Sequence, residues 1–474
     1  MPRRNLYLLL AIAFVSLVCY QKAESSYRSR YGRMTDTIVR VMQQIDENYV
    51  EEVDDRKLFE GALNGIVSQL NDPYSAYEPP QQAAEFRQHL DQKFGGIGIQ
   101  VSLDEQSKRL TVLSPMIGTP AYETGILAGD TILEIDGQDT AGFNTDDALR
   151  LLRGDPGEAV RLKVLHAGEK VPVEIELTRA VINVPSVLGD TRDAEGRWRF
   201  VLQSHPEIGY VRITTFGDQT LGEMEQALER LSQRHVKALI LDLRGNAGGF
   251  LKTAVATCDL FVREGQIVST RGRRKRPDRS NFLAADKAGD RYTQREDFQA
   301  SGKARYTQWP MVVLVDHQTA SASEIVSACL QDHGLAVVVG ERTWGKGTVQ
   351  NVIPLENGKS QLKLTVATYW RPSGKNIHRL HDAKETDDWG VRPDPGFEVK
   401  LTPEQLRRIV EERHQRDVIK PQNGKPAGAK AVELHPTAER DPPAADPYDP
   451  QLDKAVEYLN TKLAEPKVAA GSVN

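Results

Sequence analysis

The sequence predicts a multidomain α/β protein, and three observations carry that reading. Beyond Ile208, short apolar runs alternate with segments of helical spacing, the pattern of strands joined by crossing helices. Ahead of them lies a stretch of closely spaced short strands, and ahead of that two apolar runs at helical intervals. A chain of 474 residues also exceeds what one hydrophobic core supports, about 250–300 residues. Hydrophobic residues at 39% and charged residues at 27% give the balance of a folded globular chain and exclude a disordered or fibrous one. A net charge of -5 supplies no strong field, so no nucleic-acid partner is expected.

At the N-terminus, Arg3 and Arg4 precede an uncharged, mainly apolar run from Leu6 to Tyr20, followed by a polar stretch from Gln21 to Arg30. This is the layout of an export signal. The run of about 15 residues falls between a signal-peptide core and a span of about 20. Residues 1–25 therefore read as a signal peptide or a membrane anchor, with Ala23 and Ser25 as a weak cleavage site. The expected place of work is outside the cytoplasm, periplasmic or membrane-anchored on the extracytoplasmic side. Residues 30–90 read as a helical N-terminal region, with Ile38, Met42, Ile45 and Tyr49 and then Leu58, Ala62, Ile66 and Leu70 at helical spacing before Pro73. Its reading is a packing or dimerisation element, and in the second case the protein would be a homo-oligomer. Cys19, Cys258 and Cys329 show no CxxC spacing, so neither a disulfide framework nor a metal site is expected. The latter two lie in apolar helical stretches and read as buried hydrophobes.

Residues 91–180 hold KFGGIGIQV, RLTVLSPM, a short helix from Pro120 to Gly125, GDTILEIDG, a helix from Thr145 to Arg153, and the strand-like runs VRLKVLHA and KVPVEIELT. These residues resemble a PDZ domain. Gly96, Ile97, Gly98 and Ile99 would be its carboxylate-binding loop, and Ala128-Gly129-Asp130 its second mark. Glycines there let backbone N–H groups converge on a carboxylate, the following strand offers an edge to an extended peptide, and the isoleucines favour an apolar last residue.

Residues 181–402 carry the α/β alternation: IGYVRI, a helix over Leu221 to Leu231, ALILDL, a helix over Leu251 to Phe261, QIVST, MVVLV, a helix from Ser323 to His333, AVVVG, TVQNVI and QLKLTVATY. A polar insertion separates QIVST from MVVLV; its basic cluster of Arg271, Arg273, Arg274, Lys275 and Arg276 reads as a solvated loop. Residues 403–474 read as a linker and helix tail, flexible from Pro421 to Pro450 and then one amphipathic helix, DPQLDKAVEYLNTKLAE.

Three segments carry chemistry. MVVLVDHQTASASEIVSACLQDHG is a strand, a turn and a helix beginning near Ser321, where unpaired N–H groups and the helix dipole favour negative charge. A serine there attacks a carbonyl while the Ala322 N–H receives the oxygen, although Ser321-Ala322-Ser323-Glu324 is equally a capping box. AVVVGERTWGKGTVQ holds Lys346 in a glycine-flanked turn, where burial would lower its pKa and make it a general base. A phosphate-binding loop is the rival reading of Gly340 and Gly345-Lys346, but Gly347 stands where Ser or Thr should be and a strand follows instead of a helix. ALILDLRGNAGGF ends in glycines that bring backbone N–H groups close to a ligand, a second source of oxyanion donors.

Taken in order, these segments resemble the C-terminal processing peptidases, also called tail-specific proteases, from about Thr35 to Pro395. The resemblance implies a crotonase-like core of ββα units, with Ser321 as nucleophile, Lys346 as base, Gln350 orienting the lysine, and Ala322 and Gly248 as oxyanion donors. The choice between Gly248 and Gly249 stays open. No metal or other cofactor is implied, and the expected partners are protein or peptide substrates with free apolar C-termini. Asp316, His317, Gln318 and Thr319 depart from the family's usual asparagine and small residues. A Ser-His pair through His317 and a PDZ adaptor with an inactive core are the competing readings.

Overall fold

The computed structural model describes residues 12, 14–18, 30–104, 107–193, 195–273, 294–418 and 448–465. Most of the apolar N-terminal run lies outside the described residues, as do Arg274, Lys275 and Arg276 and positions 421–447 of the expected linker. Among the described residues no helix is long and apolar enough to cross a membrane.

The chain forms two compact units, residues 1–82 with 351–364, and residues 83–350 with 365–474. In the first, two helices, Arg30–Asn48 and Asp55–Ser68, occupy the region of helical periodicity. Asp54 caps the second by accepting the N–H groups of Arg56 and Lys57. Met34, Ile38, Val41, Ile45, Leu58 and Ala62 line an open apolar groove of about 920 Å³.

The second unit begins with an antiparallel module. Its sheet runs in the order Ile99–Leu103, Leu110–Pro115, Thr131–Ile135, Ala159–Leu165, Val173–Thr178. Ile97, Val112, Ile132, Leu162, Ala148 and Leu152 fill one core, the last two from the helix Thr145–Leu152, which Asn144 and Asp147 cap reciprocally.

The core that follows is a five-stranded sheet, ordered Val187–Leu188, Ile208–Ile213, Ala238–Asp242, Met311–Val315, Ala336–Gly340, parallel except for its first strand. Ala238–Asp242 and Met311–Val315 are buried along their whole length, which is why they read as unbroken apolar runs rather than as alternation. One set of side chains packs with helices Thr220–Gln233, Leu251–Asp259 and Ala322–Asp332; Cys258 and Cys329 are buried within it. The other set, with Tyr210, Ile240, Val312 and Leu314, packs against Leu452, Ala455 and Leu459 of a helix Pro450–Ala464.

Two expectations change here. The segment 403–474 is not simply a tail: helix Pro450–Ala464 packs Leu452, Ala455 and Leu459 onto one sheet face, and helix Pro403–Asp417 reaches the same region through Arg413. The insertion after QIVST is not all solvated loop. Gln294–Gln299 pairs antiparallel with Gln266–Gly272, Tyr306 and Trp309 are buried and stacked, and the Arg271 guanidinium lies 3.8 Å from the Trp370 ring. A planar guanidinium sheds water readily against an aromatic face, so charge alone was a poor guide to exposure.

Candidate active site

The turn after Met311–Val315 is fastened by Asp316, whose Oδ1 accepts the N–H groups of Gln318 at 3.0 Å and Thr319 at 2.9 Å. The same carboxylate accepts Gly245 N–H at 3.0 Å, from the end of the neighbouring strand. Thr319 Oγ1 adds a bond to Leu243 O at 2.9 Å. A departure from the family pattern thus joins the serine turn to the glycine-rich turn. Ser321 follows with φ +57° and ψ -116°, a strained backbone for a residue with a Cβ. Helix Ala322–Asp332 starts at once, and the N–H of its first residue has no intrahelical acceptor.

Glu324 joins this turn to the one that carries Lys346. Its Oε2 accepts Ser321 N–H and Lys346 N–H, each at 2.8 Å, so the two nitrogens lie no further apart than twice that length. Its Oε1 accepts Thr343 Oγ1 at 2.5 Å and Gly345 N–H at 2.7 Å. Burial pushes the Glu324 carboxyl up to about 7, against the opposing pull of those four hydrogen bonds. The SASE motif signals only the bond back to Ser321; the other three come from residues about 20 positions further along and leave no local trace.

Gly345, at φ +84°, leaves no room for a side chain: a Cβ would lie 2.7 Å from Arg379 Cβ and 2.9 Å from the Trp389 ring. The strand Thr348–Leu355 begins directly after this turn, which removes the phosphate-loop reading. Gln350, half-buried, donates its amide to Thr348 Oγ1 at 2.8 Å and Thr365 Oγ1 at 3.1 Å. In extended backbone Lys346, Thr348 and Gln350 alternate onto one face.

The glycine-rich turn closes the site from the third side. A Cβ on Gly248 would lie 2.8 Å from Ser321 Cβ and 2.9 Å from Ala322 N, whereas one on Gly249 would meet Phe216 O at 2.4 Å. Of the two, Gly248 is the one beside Ser321. Its N–H donates to Asn246 Oδ1 at 2.8 Å. Asn246, fully buried, also accepts Ala320 N–H and Ser323 Oγ on its carbonyl, each at 3.0 Å, so Ser323 is a structural hydroxyl. His317 does not form a Ser-His arrangement: its side chain is 55% exposed and the carboxylate paired with it, Glu341, lies 3.9 Å away. Among the described residues no cluster of His, Cys, Asp and Glu is suited to a metal ion.

In the antiparallel module, Gly98 has φ +79° and abuts Thr119, where a Cβ would come within 2.3 Å of the threonine Cβ. The Ile97 side chain is buried in the module's own core, which leaves only its backbone to meet a peptide, while Ile99 is half-buried. Gly96 lies in the two-stranded ribbon Lys93–Gly96 with Ala180–Asn183. Ile99–Leu103 is an edge strand of the sheet, paired with Leu110–Pro115 on one side.

A serine strained at a strand-to-helix turn, a lysine turn fixed to it by Glu324 and a glycine turn against the serine, following a PDZ-like module in the chain, define a peptidase architecture. Family models agree: Peptidase family S41 matches residues 207–395, the PDZ domain residues 111–165, and the activating protease CtpB N-terminal domain residues 16–80. The chain is 34% identical over 393 residues to a carboxy-terminal-processing protease of Bartonella bacilliformis, covering 80% of each protein. It is 32% identical over 351 residues to the carboxy-terminal processing protease CtpB of Bacillus subtilis, covering 74% of this chain and 67% of that one. Among solved structures it is similar to a photosystem II D1 C-terminal processing protease, with 28% identity, TM-score 0.41, and coverage of 80% and 95%. The chain belongs to the carboxy-terminal processing proteases, serine-type peptidases of family S41.

Proposed function

We propose that this chain is an exported Ser-Lys endopeptidase that cuts polypeptides near their C-termini, the substrate's tail being captured by the PDZ module. The observation that carries the proposal is the shared Glu324 Oε2, which holds the backbones of Ser321 and Lys346 side by side. In this mechanism the neutral Lys346 amine takes the Ser321 proton as Oγ attacks the scissile carbonyl. The resulting ammonium then protonates the departing amine, and a water deprotonated by the same lysine hydrolyses the acyl-enzyme. Gln350, its amide nitrogen anchored by Thr348 and Thr365, orients the lysine through its amide oxygen. The Ala322 and Gly248 N–H groups stabilise the tetrahedral oxyanion. For Gly248 this requires release from Asn246 Oδ1, so the glycine-rich turn shifts when substrate binds. No cofactor enters the scheme.

The substrate's tail adds as a strand to Ile99–Leu103, with its carboxylate at the loop from Gly96 to Ile99. The N-terminal run directs export and tethers or releases the protein in the periplasm. The apolar groove between the two N-terminal helices supports self-association as a homo-oligomer.

Cleavage of unfolded casein without ATP or added metal tests the reading. Wild type should cut, while Ser321→Ala and Lys346→Arg should not, because a guanidinium stays protonated and cannot accept the serine proton. A Ser321→Ala protein that cuts at a near wild-type rate would end the assignment. A peptide with an apolar free C-terminus should be cut faster than its amidated twin, and equal rates would remove tail capture.

A further inference from the structure

Among the described residues, a buried group of charges lies outside the reacting residues. Arg244, the residue before the glycine-rich turn, is 10% exposed and reaches in two directions. Its Nε and Nη2 donate to Asp242, at the end of its own strand, at 3.0 and 2.7 Å. Its Nη1 and Nη2 donate to the two carboxylate oxygens of Asp449 at 2.9 and 2.8 Å. Asp449 is the N-cap of the helix Pro450–Ala464 and is itself buried. Gln451, the second residue of that helix, accepts Arg244 Nη1 at 3.0 Å and donates to Val399 O at 2.8 Å. Arg413, from the helix Pro403–Asp417, stands 3.5 Å from both carboxylates and donates to Tyr210 Oη. Two carboxylates therefore balance two guanidiniums. Burial alone would raise Asp449, and the Arg244 and Arg413 charges overcome it and hold it below the usual carboxylate range.

The next residue after Arg244, Gly245, donates to Asp316 of the serine turn, and Gly248 lies against Ser321. We infer that Asp449 is a positioning residue for catalysis: through Arg244 the C-terminal helix fixes the glycine-rich turn from the sheet face opposite the helix Ala322–Asp332. The bidentate fork sets the plane and direction of the guanidinium, which a point charge would not. Without the Asp449 charge, two guanidiniums share one carboxylate in a site closed to water. Arg244 is then driven outward, and the turn that leads to Gly248 follows it. This inference rests on the Ser-Lys reading.

The test uses the full chain and a fluorogenic peptide. Asp449→Asn keeps a good helix cap and removes only the charge. It should lower kcat at least tenfold, leave KM within about twofold, and slow labelling of Ser321 by a fluorophosphonate to the same degree. Leu459→Ala removes apolar packing from the same helix without touching Arg244. At a temperature where circular dichroism shows both variants folded, it should keep wild-type kcat. Gln451→Ala, which deletes one of Arg244's bonds, should reproduce the kcat loss in weaker form and serves if Asp449→Asn does not fold. An unchanged kcat in Asp449→Asn with a lowered Tm, or an equal kcat loss in Leu459→Ala, would reduce Asp449 to a structural staple and overturn the inference. If wild type itself shows no Ser321-dependent cleavage, the Ser-Lys reading fails first, and the labelling rates report that separately.

Discussion

Replacing Glu324 by glutamine separates what its charge does from what its shape does. The carboxyl is pushed up to about 7 from an ordinary 4.5, so the folded chain holds that proton more tightly than the unfolded chain. Stability is therefore lost as pH rises: the cost is absent below about pH 4.5, grows through the window and is complete above about pH 7, at roughly 3 kcal/mol. Glutamine removes that cost but gives up one acceptor oxygen. Thr343 Oγ1 can turn from donor to acceptor, whereas the N–H groups of Ser321 and Lys346 cannot, so the amide nitrogen settles toward Thr343. The Gly345 N–H, now 2.7 Å from Oε1, is orphaned, at about 1–3 kcal/mol. Urea unfolding should show Glu324→Gln less stable than wild type at pH 5, with the difference swinging by roughly 2–3 kcal/mol in its favour at pH 8. Turnover at pH 8 should fall about tenfold, because the orphaned group sits in the turn that presents Lys346. The same stability difference at both pH values, together with unchanged kcat, would refute the role given to this carboxylate.

Four other expectations follow from single contacts. Ser323→Ala loses one bond to Asn246 O and should cost about 1 kcal/mol in Tm-derived stability while retaining turnover within severalfold. Ser321→Gly should be inactive yet more stable than Ser321→Ala by about 1 kcal/mol, since glycine relieves the strain at φ +57°; equal stabilities would mean that the turn is unstrained. Gly345→Ala should abolish turnover without loss of PDZ peptide affinity, because its Cβ collides with Arg379 and Trp389. Gly98→Val should unfold the PDZ module rather than merely weaken its ligand, given the 2.3 Å approach to Thr119; a cooperative melt like that of wild type would contradict this.

The main architecture was legible because its signals are local. Fully buried parallel strands write themselves as ALILD and MVVLV, helical hairpins as spaced apolar residues, and a serine at a helix start as SASE. The PDZ edge strand and the glycine turns are likewise short-range patterns of a kind that one-dimensional reading detects. What the sequence could not disclose depends on partners far apart along the chain. Glu324 looks like a cap until Thr343, Gly345 and Lys346 fold onto it. The Ile97 side chain looks available to a ligand until the module's core closes around it. Arg271 looks solvated until Trp370 arrives beneath it, 99 positions away in a strand that pairs with its own. Asp449 and Arg244 are 205 residues apart, and neither carries any local sign of the other. Hydrogen bonds and ion pairs reach only about 3 Å, so their partners are chosen by the packing of strands and helices and not by neighbours in sequence. The apolar pattern determines that packing, and the packing alone determines which buried charges meet.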